Sequence, residues 1–156
     1  MKFRQMNEGF DWVFKVDEIE QQVTRLKQWA QTNQALVPLV RIGVGAEKVT
    51  WNLPDGVPET AKIDKDMPEG MGGTTIQLEW RRIKQFYDPE SNMNNLPDWK
   101  REMNWLQILE GLHHTEASIL TAIKDGKLLK EIPKLKKLMS PLGITDYNGK
   151  PKRRKK

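Results

Sequence analysis

The sequence predicts an all-α protein: a single helical domain of about five helices, residues 1–148, with one long loop and a disordered basic tail at 149–156. Three observations predict it. Apolar residues recur at spacings of three and four in most segments, which draws stripes on helices rather than the alternation of strands. Cap and stop residues stand at the ends of those segments. Only Val49-Thr50-Trp51 is strand-like, and it is too brief to found a sheet.

Taken in order, the first apolar segment, 10–16, makes one or two helical turns or a docking arm. Asp17, with Glu20 three residues on, has capping-box spacing, in which each side chain meets an orphan amide of the first turn. Ile19, Val23, Leu26 and Ala30 then line one face of a helix that stops near Thr32-Asn33. A shorter helix over 35–42 ends at Gly43 and Gly45, and Pro38 is tolerable only in its first turn. Residues 54–73 are rich in Pro, Gly and Asp and lack a period, so they form the long loop.

Thr74 and Gln77 open a helix over 75–87 with Ile76, Trp80, Ile83 and Tyr87 inward, and Asp88-Pro89 ends it. Asp98 caps a helix over 99–112, whose wide apolar face of Met103, Trp105, Leu106, Ile108, Leu109 and Leu112 marks it as the central one. Through 111–114 it forms a hairpin with a helix over 115–124 that turns Ala117, Leu120 and Ile123 inward. A last short helix, 134–139, is halted before Pro141.

Composition narrows the function. The chain of 156 residues suffices for one domain with a real core. It has no cysteine, which excludes disulfides and thiolate metal sites and points to a reducing compartment. No apolar run approaches the roughly 20 residues of a membrane span. The start, from Met1 to Glu8, lacks the apolar core of a signal peptide. A cytosolic protein away from membranes is expected.

Nothing in the residue pattern asks for catalysis. His113 and His114 are adjacent and point to different sides of any regular element; with Glu116 they make at most a partial metal site. Gly43-Val44-Gly45 lacks the third glycine and the context of a nucleotide loop. The 71–75 run, Met-Gly-Gly-Thr-Thr, precedes a helix and offers its amides to an anion, though such loops mostly supply turn geometry. The other carboxylates are scattered over outward helix faces. No enzyme activity, cofactor or metal is expected.

The strongest signal is charge segregation. Residues 124–156 hold twelve Lys or Arg against three acids, while the first 123 hold fourteen basic and eighteen acidic residues. A mildly acidic body therefore carries a strongly basic end. Such clusters bind polyanions by displacing condensed counterions and do not read sequence. The candidate nucleic-acid-binding residues are Lys134, Lys136, Lys137, Lys150, Lys152, Arg153, Arg154, Lys155 and Lys156, with DNA preferred over RNA as the partner. A solubilising tail, or docking on an acidic protein, is the bland alternative.

Among the tryptophans, Trp80 and Trp105 fall on apolar stripes and read as core, whereas Trp12, Trp51 and Trp99 flank loops. Trp99, beside Lys100 and Arg101, is the best candidate for a stacking platform or partner anchor, so these three form the candidate partner-binding site.

Two stretches carry a family likeness. One is Trp51-Asn52-Leu53-Pro54-Asp55-Gly56-Val57-Pro58. The other is 100–112, Lys-Arg-Glu-Met-Asn-Trp-Leu-Gln-Ile-Leu-Glu-Gly-Leu, continued by Glu116-Ala117 and by 122–128, Ala-Ile-Lys-Asp-Gly-Lys-Leu. With 35–42 and 79–86, their order resembles a family of small proteins from T4-like tailed phages, cyanophages included, over roughly residues 10–130. The resemblance departs at 139–143, Met-Ser-Pro-Leu-Gly here, where the family has an apolar Phe-Pro stretch, and it does not extend to the basic tail. It implies a viral source and action in the host cytoplasm, and supplies neither an activity nor functional residues. The expectation is a non-catalytic accessory protein that binds nucleic acid or a nucleic-acid-processing complex. A virion structural or assembly protein is the alternative.

Overall fold

The computed structural model describes residues 3–56, 73–144 and 147. All regular structure among them is helical: α1 (Met6–Val13), α2 (Ile19–Thr32), α3 (Leu36–Gly43), α4 (Ile76–Gln85), α5 (Asp98–Gly111), α6 (His114–Lys124) and the single turn α7 (Leu128–Glu131). Two 3-10 helices, Asn92–Asn95 and Pro133–Leu138, complete the set. The all-α class is as the apolar spacing predicts. Most of the expected loop, 57–72, and the boundary between domain and tail lie outside the described residues.

α1 exists because Gln5 ends an extended approach and its N–H donates to Glu8 Oε1 at 3.2 Å, a local cap that the sequence reading of 10–16 overlooked. The helix buries Met6, Phe10 and Val13, spaced four and three apart, against α2. The contact is intimate because Gly9 has no side chain: a Cβ there would sit 2.3 Å from the Trp29 ring. Trp29 is 1% exposed and meets Phe10 edge-on at 5.0 Å. The buried stripe of α2 is therefore Val23, Leu26 and Trp29, whereas Ile19 is 41% exposed and Ala30 only half-buried. The expected capping box at Asp17 is absent too; Glu18 occupies the cap and lends only its carbonyl, to Gln22 N–H at 3.0 Å.

α6 is the central helix, not α5. Every residue from Ile119 to Lys124 is buried, as are Glu116 and Ala117, and α1, α3 and α7 pack around it. Of residues 116–124 only Ser118 is exposed, and a helix covered over most of its surface needs little polar face, so its small and apolar residues suit the middle. On α5, by contrast, Met103 is 51% exposed and Leu106 half-buried, and only one side faces the core.

The strand-like 49–51 is irregular chain. Trp51 leaves it to wedge edge-on between Tyr87 (4.8 Å) and Trp105 (5.6 Å), and Phe86 closes on Trp105 at 5.0 Å. This aromatic packing outweighs the local β preference of a three-residue run. Trp51 is thus core rather than a loop-flanking platform. Trp80, expected in the core from its place on the α4 stripe with Ile76 and Ile83, is only half-buried and packs against the core's edge.

Candidate nucleic-acid interface

The described part of the basic end is built on the 3-10 helix Pro133–Leu138. Pro133 fixes the first turn and has no amide to satisfy. A period of three brings Leu135 and Leu138 to one side, where both are fully buried, and turns Lys134, Lys136 and Lys137 outward. The expected α-helix over 134–139 is thus present as the tighter form. Among the described residues these three lysines make no ion pair with any acid, and Lys134 Nζ lies 5.9 Å from the Phe14 ring centre. Lys127 and Lys130 are exposed just before them, with Glu131 between.

Lys124 does not belong to this face. It is 8% exposed, and its Nζ donates to Pro54 O at 2.7 Å and pairs with Asp125 Oδ1 at 2.5 Å. Asp125 Oδ2 in turn accepts from Gly56 N–H at 3.0 Å, which ties 54–56 to the end of α6. Lys150, Lys152, Arg153, Arg154, Lys155 and Lys156 lie outside the described residues.

The second expected site divides. Trp99 is 63% exposed and Lys100 is exposed on the first turn of α5, with Met103 one turn on. Arg101 is buried and cannot meet a partner. Its Nε donates to Asn52 O at 2.8 Å and its Nη1 to Leu96 O at 3.0 Å, while Nη2 pairs with Asp98. Asp98 is accordingly the first residue of α5 and holds Arg101, and Pro97 occupies the cap. Arg101 is a structural clamp between α5 and the 51–56 run.

Glu116 is the polar residue that sequence reasoning missed. Its side chain is fully buried at the start of α6; Oε2 accepts from Met6 N–H at 2.9 Å and Oε1 from Ile76 N–H at 3.2 Å. These are the first amides of α1 and α4, so one carboxyl group satisfies orphan donors of two helices. Burial pushes its pKa up to about 7, against the lowering effect of the two amides; Glu8 adds to the rise and Arg4 opposes it. Of the 71–75 run, 71 and 72 lie outside the described residues and Thr74 N–H donates to Gly111 O at 2.9 Å; the amide that meets Glu116 is that of the next residue, Ile76. The 113–116 spacing is the available signal, and it reads as at most a partial metal site.

His113 caps α6 through Nδ1, which accepts from Thr115 N–H at 3.3 Å. The rings of His113 and His114 do not diverge but lie 4.3 Å apart. Among the described residues no group of three metal-ligating side chains occurs, and no helix is long and apolar enough to cross a membrane.

No curated protein and no solved structure matches the chain. A family model does, over residues 11–130, a span that includes Arg101 and Glu116 but stops short of Lys134 and the basic tail. By that match the chain belongs to DUF6433, a family of unknown function.

Proposed function

We propose that this chain is a non-catalytic, phage-encoded accessory protein of the host cytoplasm. It binds nucleic acid, DNA in preference to RNA, or a nucleic-acid-processing complex, through its basic C-terminal segment. The observation that supports the reading is the placement of Lys134, Lys136 and Lys137. They stand exposed and without an ion-paired acid among the described residues, on a helix whose leucines anchor it to the core, and six further cations follow in sequence at 150–156. Electrostatic capture of phosphates needs cations held outward in this way and no cavity.

The test is the salt dependence of duplex binding. If all nine cations engage, the log–log slope is about −8; removal of 150–156 brings it to about −3. Equal slopes for both forms would overturn the reading.

One observation favours a second reading, a virion structural or assembly protein. Trp99 and Met103 lie exposed one turn apart on α5, as an apolar contact surface would. Stoichiometric amounts in purified particles, measured by mass spectrometry, separate it from the first reading.

A further inference from the structure

Between α2 and α3 the surface opens into a cleft of about 190 Å³. Leu26 and Ala30 of α2, Leu36 and Val40 of α3, and Leu142 and Ile144 wall it. Val37 also lines it and is 52% exposed, so the cleft communicates with solvent. Among the described residues, its charged lining is Lys27 and Arg41, both exposed, with no carboxylate. Apolar walls next to water lack dispersion partners on one side, and an apolar occupant would supply them.

We infer that this cleft is a docking site for an acidic protein segment, which inserts an apolar side chain between α2 and α3 and sets flanking carboxylates against Lys27 and Arg41. The size argues for a side chain: small-molecule pockets usually measure about 300–1,000 Å³, and this one holds an anchor or two. The charge argues for the sign of the partner, because two cations with no carboxylate among the described lining residues favour an anionic flank and disfavour a basic one. The chain's own cationic run, with six Lys or Arg in 150–156, is disfavoured by the same rule. Duplex DNA matches the charge but has no apolar group to fill the walls. The site is separate from Lys134, Lys136 and Lys137 and stands or falls independently of nucleic-acid binding.

The probe is a fluorescein-labelled peptide with a central Leu-Phe pair flanked on both sides by glutamates, titrated into the full chain. Anisotropy gives affinity and amide NMR shifts give location. The expected result is binding that shifts Leu26, Val37, Val40 and Ile144, and that weakens at least tenfold in Val37→Asp and in Arg41→Glu. Both residues are exposed, and circular dichroism verifies that each variant is folded. Four results would overturn the assignment: no binding at millimolar peptide, equal binding of a peptide with Ala-Ala at its centre, equal binding of a lysine-flanked version, or an unchanged affinity in Arg41→Glu. Shifts of the same amides by decanoate but not by the peptide would reassign the cleft to an acyl chain and equally defeat the proposal.

Discussion

Glu116 offers the sharpest test of how the fold is held. Its carboxyl pKa rises from the ordinary 4.5 to about 7 in the folded chain, with burial as the leading cause. The folded state therefore binds the proton more tightly than the unfolded one. Stability from this group is fully present below about pH 4.5 and is lost as pH rises through about 7. A difference of about 2.5 units at about 1.4 kcal/mol each gives a loss of about 3 kcal/mol across that window. Other carboxylates titrate as well, so the clean quantity is the gap between wild type and Glu116→Gln, a neutral near-isostere. Glutamine keeps one acceptor and turns an NH₂ toward the other amide, so near pH 5 it costs about 1–3 kcal/mol. By pH 8 the gap closes or reverses, shifting by about 3 kcal/mol in favour of glutamine. Urea melts followed by tryptophan fluorescence at the two pH values measure it. A gap that stays constant, or widens with pH, would refute the reasoning. It would mean that the ionised carboxylate, held by two helix N-termini, is the stable form.

Three further outcomes are expected. Gly9→Ala drives a Cβ into a sealed indole at 2.3 Å; overpacking of about 1–3 kcal/mol outweighs the gain of about 1 kcal/mol in helix propensity, so thermal melting shows a lower Tm, and an unchanged or raised Tm contradicts the packing. Arg101→Ala abandons two carbonyl acceptors and costs about 2–4 kcal/mol, whereas Trp99→Ala stays within about 0.5 kcal/mol; similar urea midpoints for the two variants would count against the clamp. Charge reversal of Lys134, Lys136 and Lys137 together lowers the magnitude of the DNA salt slope by about 3 and leaves the urea midpoint nearly unchanged, because all three point to solvent.

Where a segment's apolar period survived alone, the sequence disclosed its helix; where a partner from elsewhere in the chain decided, it did not. The local spacing runs the α2 stripe through Ile19 and Ala30, because nothing local says that Trp29 is matched to a glycine twenty residues earlier. The residues 49–51 read as strand because a three-residue window cannot see Tyr87 and Trp105 waiting for Trp51. The apolar count predicts α5 as the central helix, because such a count gives no credit to Glu116, Thr121 and Lys124 of α6, all three of which are buried. At the candidate site, Trp99 and Arg101 are two residues apart in sequence yet lie about 160° apart around an α-helix, which sends one to solvent and the other inward. The lysines at 134–137 were legible because alternation with leucine decides their side in either helical form.

Nine aromatic rings pack against one another in two groups. Phe3, Phe10, Trp12 and Trp29 gather where α1 crosses α2; Trp51, Trp80, Phe86, Tyr87 and Trp105 gather around α4 and α5. Each group contains indoles, so each half of the molecule has its own intrinsic chromophore. Single-tryptophan versions retaining Trp29 or Trp105 would watch the two halves separately during unfolding. Because Glu116 joins the first turn of a helix in one half to that of a helix in the other, the two signals should change together in one cooperative step.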